Sequence, residues 1–167
     1  MADNTSLIQF NNTGDILQDM RGIIELARDS AYQAVNVALV QRNWLLGRRI
    51  AEEELRGGDR AEYGLEIIKT LSRELTDEYG RGFTKTNLYS FYQFYKTVPE
   101  IFHAASGKSQ PLLSWTHYRT LLQVKDEKAR AWYTKEASEQ TWAVRTLQRN
   151  IDSQYYYRLL SSQNTAP

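Results

Sequence analysis

Cysteine is absent from the 167 residues, which removes a disulfide framework, a cysteine-based zinc site and a thiol nucleophile. Proline occurs three times, and histidine twice, as His103 and His117; two histidines cannot build a metal site alone. No run approaches the roughly 18 apolar residues that a membrane span needs. The opening MADNTSLIQF lacks the basic and apolar regions of a secretory signal. A cytoplasmic location is therefore expected, with no membrane contact. Arg56-Gly57-Gly58-Asp59-Arg60 carries glycines without the lysine and hydroxyl pattern of a phosphate loop, so no cofactor is expected.

What is present is ordinary in amount and uneven in arrangement. Hydrophobic residues make up 41% of the chain and charged ones 25%, as in a single globular domain. The net charge is only +1, but residues 1–80 hold 9 Lys or Arg against 14 Asp or Glu, and residues 81–167 hold 12 against 6. That asymmetry suggests a basic face in the second half; alternatively, the two halves could face and neutralise each other.

Helical periodicity dominates throughout, and the expected fold is all-α, with about seven helices. Residues 1–14 are polar and aperiodic and read as a flexible tail, with a second short tail at 161–167. From Asp15 to about Arg56 there is no break, and Ile16, Met20, Ile23, Ala27, Ala31, Ala34, Ala38 and Leu45 step by three, four or seven. Forty residues make a rod of roughly 60 Å, too long for one small domain to cover, so a homo-oligomer is expected. The turn Gly57-Gly58-Asp59 ends this helix. A second helix, about Ala61 to Tyr79, has Leu65, Ile68, Leu71 and Leu75 as its apolar stripe. Gly80, Arg81, Gly82 and Phe83 lead to Thr84, an N-cap for the aromatic helix Lys85–Thr97, which is expected at the centre of the fold. Pro99 stops it, a helical turn is expected at Ile101 to Ala104, and Ser106 to Pro111 reads as polar loop.

Residues 113–149 contain three further helix starts. Ser114 caps a short helix from Trp115 to about Gln123. Asp126 caps a second, ending near Ser138, whose Ala129, Trp132, Tyr133 and Ala137 form one buried face. Thr141 is expected to cap a third, continuing through Ile151 and Tyr155 to Leu159 with Val144 and Leu147 also inward. The intervening turn is Glu139, Gln140 and Thr141. A helix pair joined so tightly, its second member carrying long basic and amide side chains outward, suits insertion into a DNA groove. Arg145, Gln148 and Arg149 are the first candidate contacts. Arg81, Lys85 and Asn87, at the earlier helix-turn-helix-like unit, form a second set, and His117 and Arg119 join them from the short helix. Each has a plainer reading: Arg149 could pair with Asp152, and His117 could bond its own helix end. Asp126-Glu127-Lys128 spells a carboxylate-x-lysine triplet of nuclease type, but it falls on a helix start, where capping explains it.

The segments AEYGLEIIKTLSRELTDEYGRGFTKTNLYSFYQFY and LLSWTHYRTLLQVKDEKARAWYTKEASEQTWAVRTLQRNI closely resemble the N-terminal domain of the YhcG-type family, bacterial proteins predicted to be PD-(D/E)XK nucleases. The likeness extends over about residues 15–160. More distantly, the Leu113-Ser114-x-x-His117 start and the Val144-Arg145-x-Leu147 helix look like the helix-turn-helix region of ParB-type partition proteins. The resemblance implies a non-catalytic, duplex-DNA-binding module at 15–160, placed before a C-terminal nuclease domain that this chain does not contain. The alternative expectation is a protein-interaction or oligomerisation module of a nuclease-containing complex.

Overall fold

The computed structural model describes residues 8–58, 61–98 and 113–164. Among them are seven α-helices and no strand: α1 Ile16–Arg56, α2 Ala61–Tyr79, α3 Lys85–Thr97, α4 Trp115–Leu121, α5 Glu127–Glu139, α6 Val144–Asp152 and α7 Tyr155–Gln163. A 3-10 turn, Arg81–Phe83, lies between α2 and α3. The all-α expectation holds. The expected features at Asp59, at Pro99 to Pro111 and at the two chain ends, 1–7 and 165–167, lie outside the described residues. None of the described helices is long and apolar enough to cross a membrane.

The chain divides into two units, Met1–Leu39 and Val40–Pro167. In the first, Asp15 accepts hydrogen bonds from the Leu17 and Gln18 amides at 2.9 and 3.1 Å, satisfying donors that the first turn of α1 leaves open. Asp19 reaches back to the Thr13 amide and hydroxyl at 2.9 and 2.7 Å. From Ile16 to Val35 no residue is buried.

In the second unit, the α1 residues Val40, Asn43, Trp44, Gly47, Ile50 and Ala51 are buried, a spacing of three and four that gives one face. That face meets α3. The Trp44 indole donates to the Val98 carbonyl at 2.9 Å, and its ring meets Tyr95 edge-on at 5.1 Å. The Tyr92 hydroxyl donates to Glu54 at 2.6 Å, which, with partial burial, pushes the phenol up to about 12. At the centre, Gly47 lets the two backbones touch: a Cβ there would stand 1.9 Å from the Phe91 carbonyl oxygen.

Helix α3 then serves two cores. Leu88 and Phe91 pack with Ile50, while Phe94 packs with Val40, Trp44, Tyr118, Leu121, Tyr133 and Leu147. Trp115 joins the two, meeting Phe91 and Phe94 edge-on at 5.3 Å each. The aromatic helix is thus central, as its sequence suggests, although Tyr89 is half exposed. Leu65 differs from expectation: it is 70% exposed. Gly64 faces Glu54 and shares a stripe with Ile68, Leu71 and Leu75, which pack in the core; Leu65 stands about 100° around from Gly64.

Glycine to alanine inside a helix ordinarily gains up to about 1 kcal/mol. At Gly47 the sign should reverse, because the new Cβ would overlap a backbone carbonyl that cannot move alone. Gly47→Ala is expected to cost about 3 kcal/mol, read as a lowered urea midpoint; an unchanged or raised midpoint would contradict the close crossing.

Candidate nucleic-acid interface

The last four helices are 7, 13, 9 and 9 residues long, mostly too short to persist alone. Their ends are held by polar side chains. The Ser114 hydroxyl accepts from the His117 amide at 3.4 Å and contacts His117 Nδ1 at 2.6 Å. His117 Nε2 lies 2.7 Å from the Trp142 carbonyl. A carbonyl can only accept, so Nε2 carries a proton, and in the neutral ring Nδ1 accepts from Ser114. Both His117 nitrogens are therefore engaged within the chain, tying the start of α4 to the turn before α6. Asp126 accepts from the Lys128 and Ala129 amides at 2.9 and 3.3 Å and from the Tyr157 hydroxyl at 2.8 Å. The bond from Tyr157, with those backbone donors, holds the Asp126 carboxyl below its usual range, and the same contact raises the Tyr157 phenol.

Two boundaries differ from the expected ones. Thr141 is not an N-cap: it has φ 49° and closes α5, the Trp142 amide donating back to the Ala137 carbonyl at 3.0 Å in the Schellman manner. Helix α6 begins two residues later, with Ala143 at its N-cap position and no side-chain bond there. The later start leaves Trp142 free to receive His117 and to set its ring 6.3 Å from Trp132. The final helix also breaks, at Gln154 with φ 52°, dividing it into α6 and α7. The cause is Tyr133, whose hydroxyl donates to the Asn150 carbonyl and accepts from the Tyr156 amide, both at 3.1 Å. One side chain thus satisfies an end group of each helix.

The result is a trihelical unit, α4 packing on α5 and α6, and α5 on α6, with a four-residue turn between α5 and α6. Leu147 is fully buried, whereas Arg145 and Arg149, one turn apart on the opposite side, are exposed. Neither has an ion-pair partner among the described residues; Asp152 accepts from Gln148 at 2.8 Å. Gln148, half-buried, also pairs with Gln123 through bonds of 3.4 and 3.3 Å. Helix α4, which carries the exposed Arg119, packs on α6. The second candidate set lies elsewhere in the chain, on the Arg81–Phe83 turn and the first turn of α3. There, Arg81 and Lys85 are exposed, Thr84 caps α3 by accepting from the Asn87 amide at 3.3 Å, and the Asn87 side chain donates to the Gly82 carbonyl at 3.1 Å.

The charge asymmetry can now be placed. Among the described residues every ion pair is local in sequence. Arg28–Glu25, Arg48–Glu52, Arg49–Glu52, Arg49–Glu53 and Arg73–Glu74 fall in the acidic half, and Lys135–Glu139 falls in the basic one. None joins the two halves. Among the described residues, no three acidic or histidine side chains come together so as to hold a metal ion.

Residues 19–158 match the family model of the DUF1016 N-terminal domain. Of the curated proteins, one of Escherichia coli (strain K12) named "Putative nuclease YhcG" is 34% identical over 170 residues, an alignment that takes in 85% of this chain and 45% of that protein. The chain thus spans about half the length of the relative it matches. No solved structure matches it significantly.

The end-closing contacts make two stability predictions. Tyr133→Phe leaves the Asn150 carbonyl and Tyr156 amide without their partner and should cost about 2 kcal/mol, with faster hydrogen exchange at Tyr156; unchanged exchange there would show that the hydroxyl does not hold the break. Thr141→Gly relieves a β-branched residue in left-handed backbone and should stabilise by about 0.5–1 kcal/mol; a lowered melting temperature would mean the threonine side chain contributes more than its strain costs.

Proposed function

The chain belongs to the DUF1016 N-terminal domain family, and on that premise we propose that it is a non-catalytic duplex-DNA-binding module which positions a nuclease domain carried by a longer protein. The observation that favours this reading is the pair Arg145 and Arg149: exposed, on one side of α6, and without an ion-pair partner among the described residues. Unpaired guanidinium groups on a short helix suit phosphate oxygens, and arginine also suits the guanine edge in the major groove. Arg119, on the neighbouring helix, extends the patch. Gln148, bonded to Gln123 and Asp152, would exchange those exposed bonds for a base or phosphate on binding. Arg81 and Lys85 supply a second basic site, with Asn87 holding the turn between them. His117 acts here by position, fixing where α6 begins. A cytoplasmic protein with this role needs no cofactor.

A second reading, an interaction module, is favoured by the uncovered apolar residues of Met1–Leu39.

Fluorescence anisotropy with a labelled duplex, repeated across salt concentrations, separates the two. A phosphate-contacting module loses affinity steeply as salt rises, with the slope set by the number of neutralised phosphates. Replacing Arg145 and Arg149 together by alanine should lower that slope by about two and weaken binding to all sequences, with helix content retained. Binding that is absent at low salt, or unaffected by the double substitution, would exclude α6 as the contact. With magnesium or manganese the same DNA should stay uncut; cleavage abolished by Asp126→Ala would overturn the non-catalytic assignment.

A further inference from the structure

The unit Met1–Leu39 carries a row of uncovered large apolar side chains. Ile16 is 77% exposed, Met20 58% and Ile23 38%; such an apolar surface marks an interaction site. At about 100° per residue these three lie within about 40° of one line along the helix, together with Ala27, Ala31, Ala34 and Ala38. The steps between the seven are four, three, four, four, three and four, a palindrome about Ala27. Large side chains occupy one end and alanines the other.

We propose that this segment pairs with the same segment of a second copy, antiparallel, about a two-fold axis at Ala27. In that arrangement Ile16 faces Ala38 of the second copy, Met20 faces Ala34, Ile23 faces Ala31, and Ala27 meets itself. Each large side chain is matched by a small one, the alternation that lets helices interlock at short interaxial distance. A two-fold contact requires such a self-complementary patch, and the palindrome supplies it. Arg21, Glu25, Arg28 and Asp29 lie about 100° or more from the contact line and stay in water. Asp19, nearer the edge, already has its carboxylate engaged by Thr13. Leu17, Ile24 and Val35, more than half exposed, line one flank, and under the two-fold axis this flank meets its own copy. A pair of helices about 34 Å long, each giving up an accessible stripe about 15 Å wide, covers roughly 1,000 Å² in all, the lower end for a specific dimer. Antiparallel pairing also opposes the helix dipoles favourably. The pairing does not depend on DNA binding, and either can fail alone.

Sedimentation equilibrium of the 167-residue chain should give twice its 19.4 kDa, and Ala27→Glu should weaken the dimer at least about tenfold while leaving circular dichroism unchanged, since the site is exposed. The absence of native cysteine allows a register test. Ala27→Cys should oxidise to a covalent dimer; Met20→Cys and Ala34→Cys should each stay single alone and cross-link when mixed. A monomer at every accessible concentration would overturn the pairing and leave the stripe to a segment beyond Pro167 or to another protein. Self-cross-linking of Met20→Cys as fast as Ala27→Cys would overturn the antiparallel register.

Discussion

The close crossing of α1 and α3 at Gly47 is the constraint on which the second unit depends. With the backbones in contact there, α3 sits deep enough for Phe91 and Phe94 to face opposite cores, and Trp115 closes on both. Trp115 is the first residue of α4, so the same contact fixes where the trihelical unit begins. From α4 the order passes through His117 to Trp142 and so to the start of α6.

Polar tips on aromatic rings finish what hydrophobic burial starts. Short helices expose many unpaired backbone groups for their length, and burying four of them together would strand several. The phenol of Tyr133 and the imidazole of His117 each place a ring in the core or at its edge and a polar atom at a helix end. Trp44 does the same where α3 stops, its indole bonding the Val98 carbonyl. No buried side-chain nitrogen or oxygen among the described residues lacks a hydrogen bond, which fits this economy: the many aromatics of the chain act as caps as well as filling.

What the sequence made legible was local. Thr84, Ser114 and Asp126 could be read as caps because a side-chain oxygen and the amide it serves are two or three residues apart, and all three caps form. The exposure of Arg145 and Arg149 followed from period alone. What escaped was set at a distance. The break at Gln154 depends on Tyr133, a residue with no local relation to it. Thr141 takes a left-handed conformation that β-branched residues avoid because Trp142 is held by the core. Gln148 was a candidate contact by position on its helix, but its bond to Gln123 spans 25 residues, and no spacing rule reveals it.

Electrostatics connects the local pairs to the functional reading. An acidic first half and a basic second half could have cancelled by docking face to face, and a net charge of +1 is compatible with that. Instead the arginines at 48 and 49 are satisfied within their own helix by Glu52 and Glu53, with Arg48 holding the Glu52 carboxyl below its usual range. Among the described residues no ion pair joins Arg145 or Arg149 to an acid of the first half. At physiological ionic strength, exposed charges more than about 8 Å apart are largely screened, so a net charge of +1 does not by itself set the local charge around α6. A nearly neutral chain can therefore present a locally basic surface. On the proposed reading, attraction for a polyanion would be governed by those few groups at short range, where counterion release applies, and hardly at all by total charge.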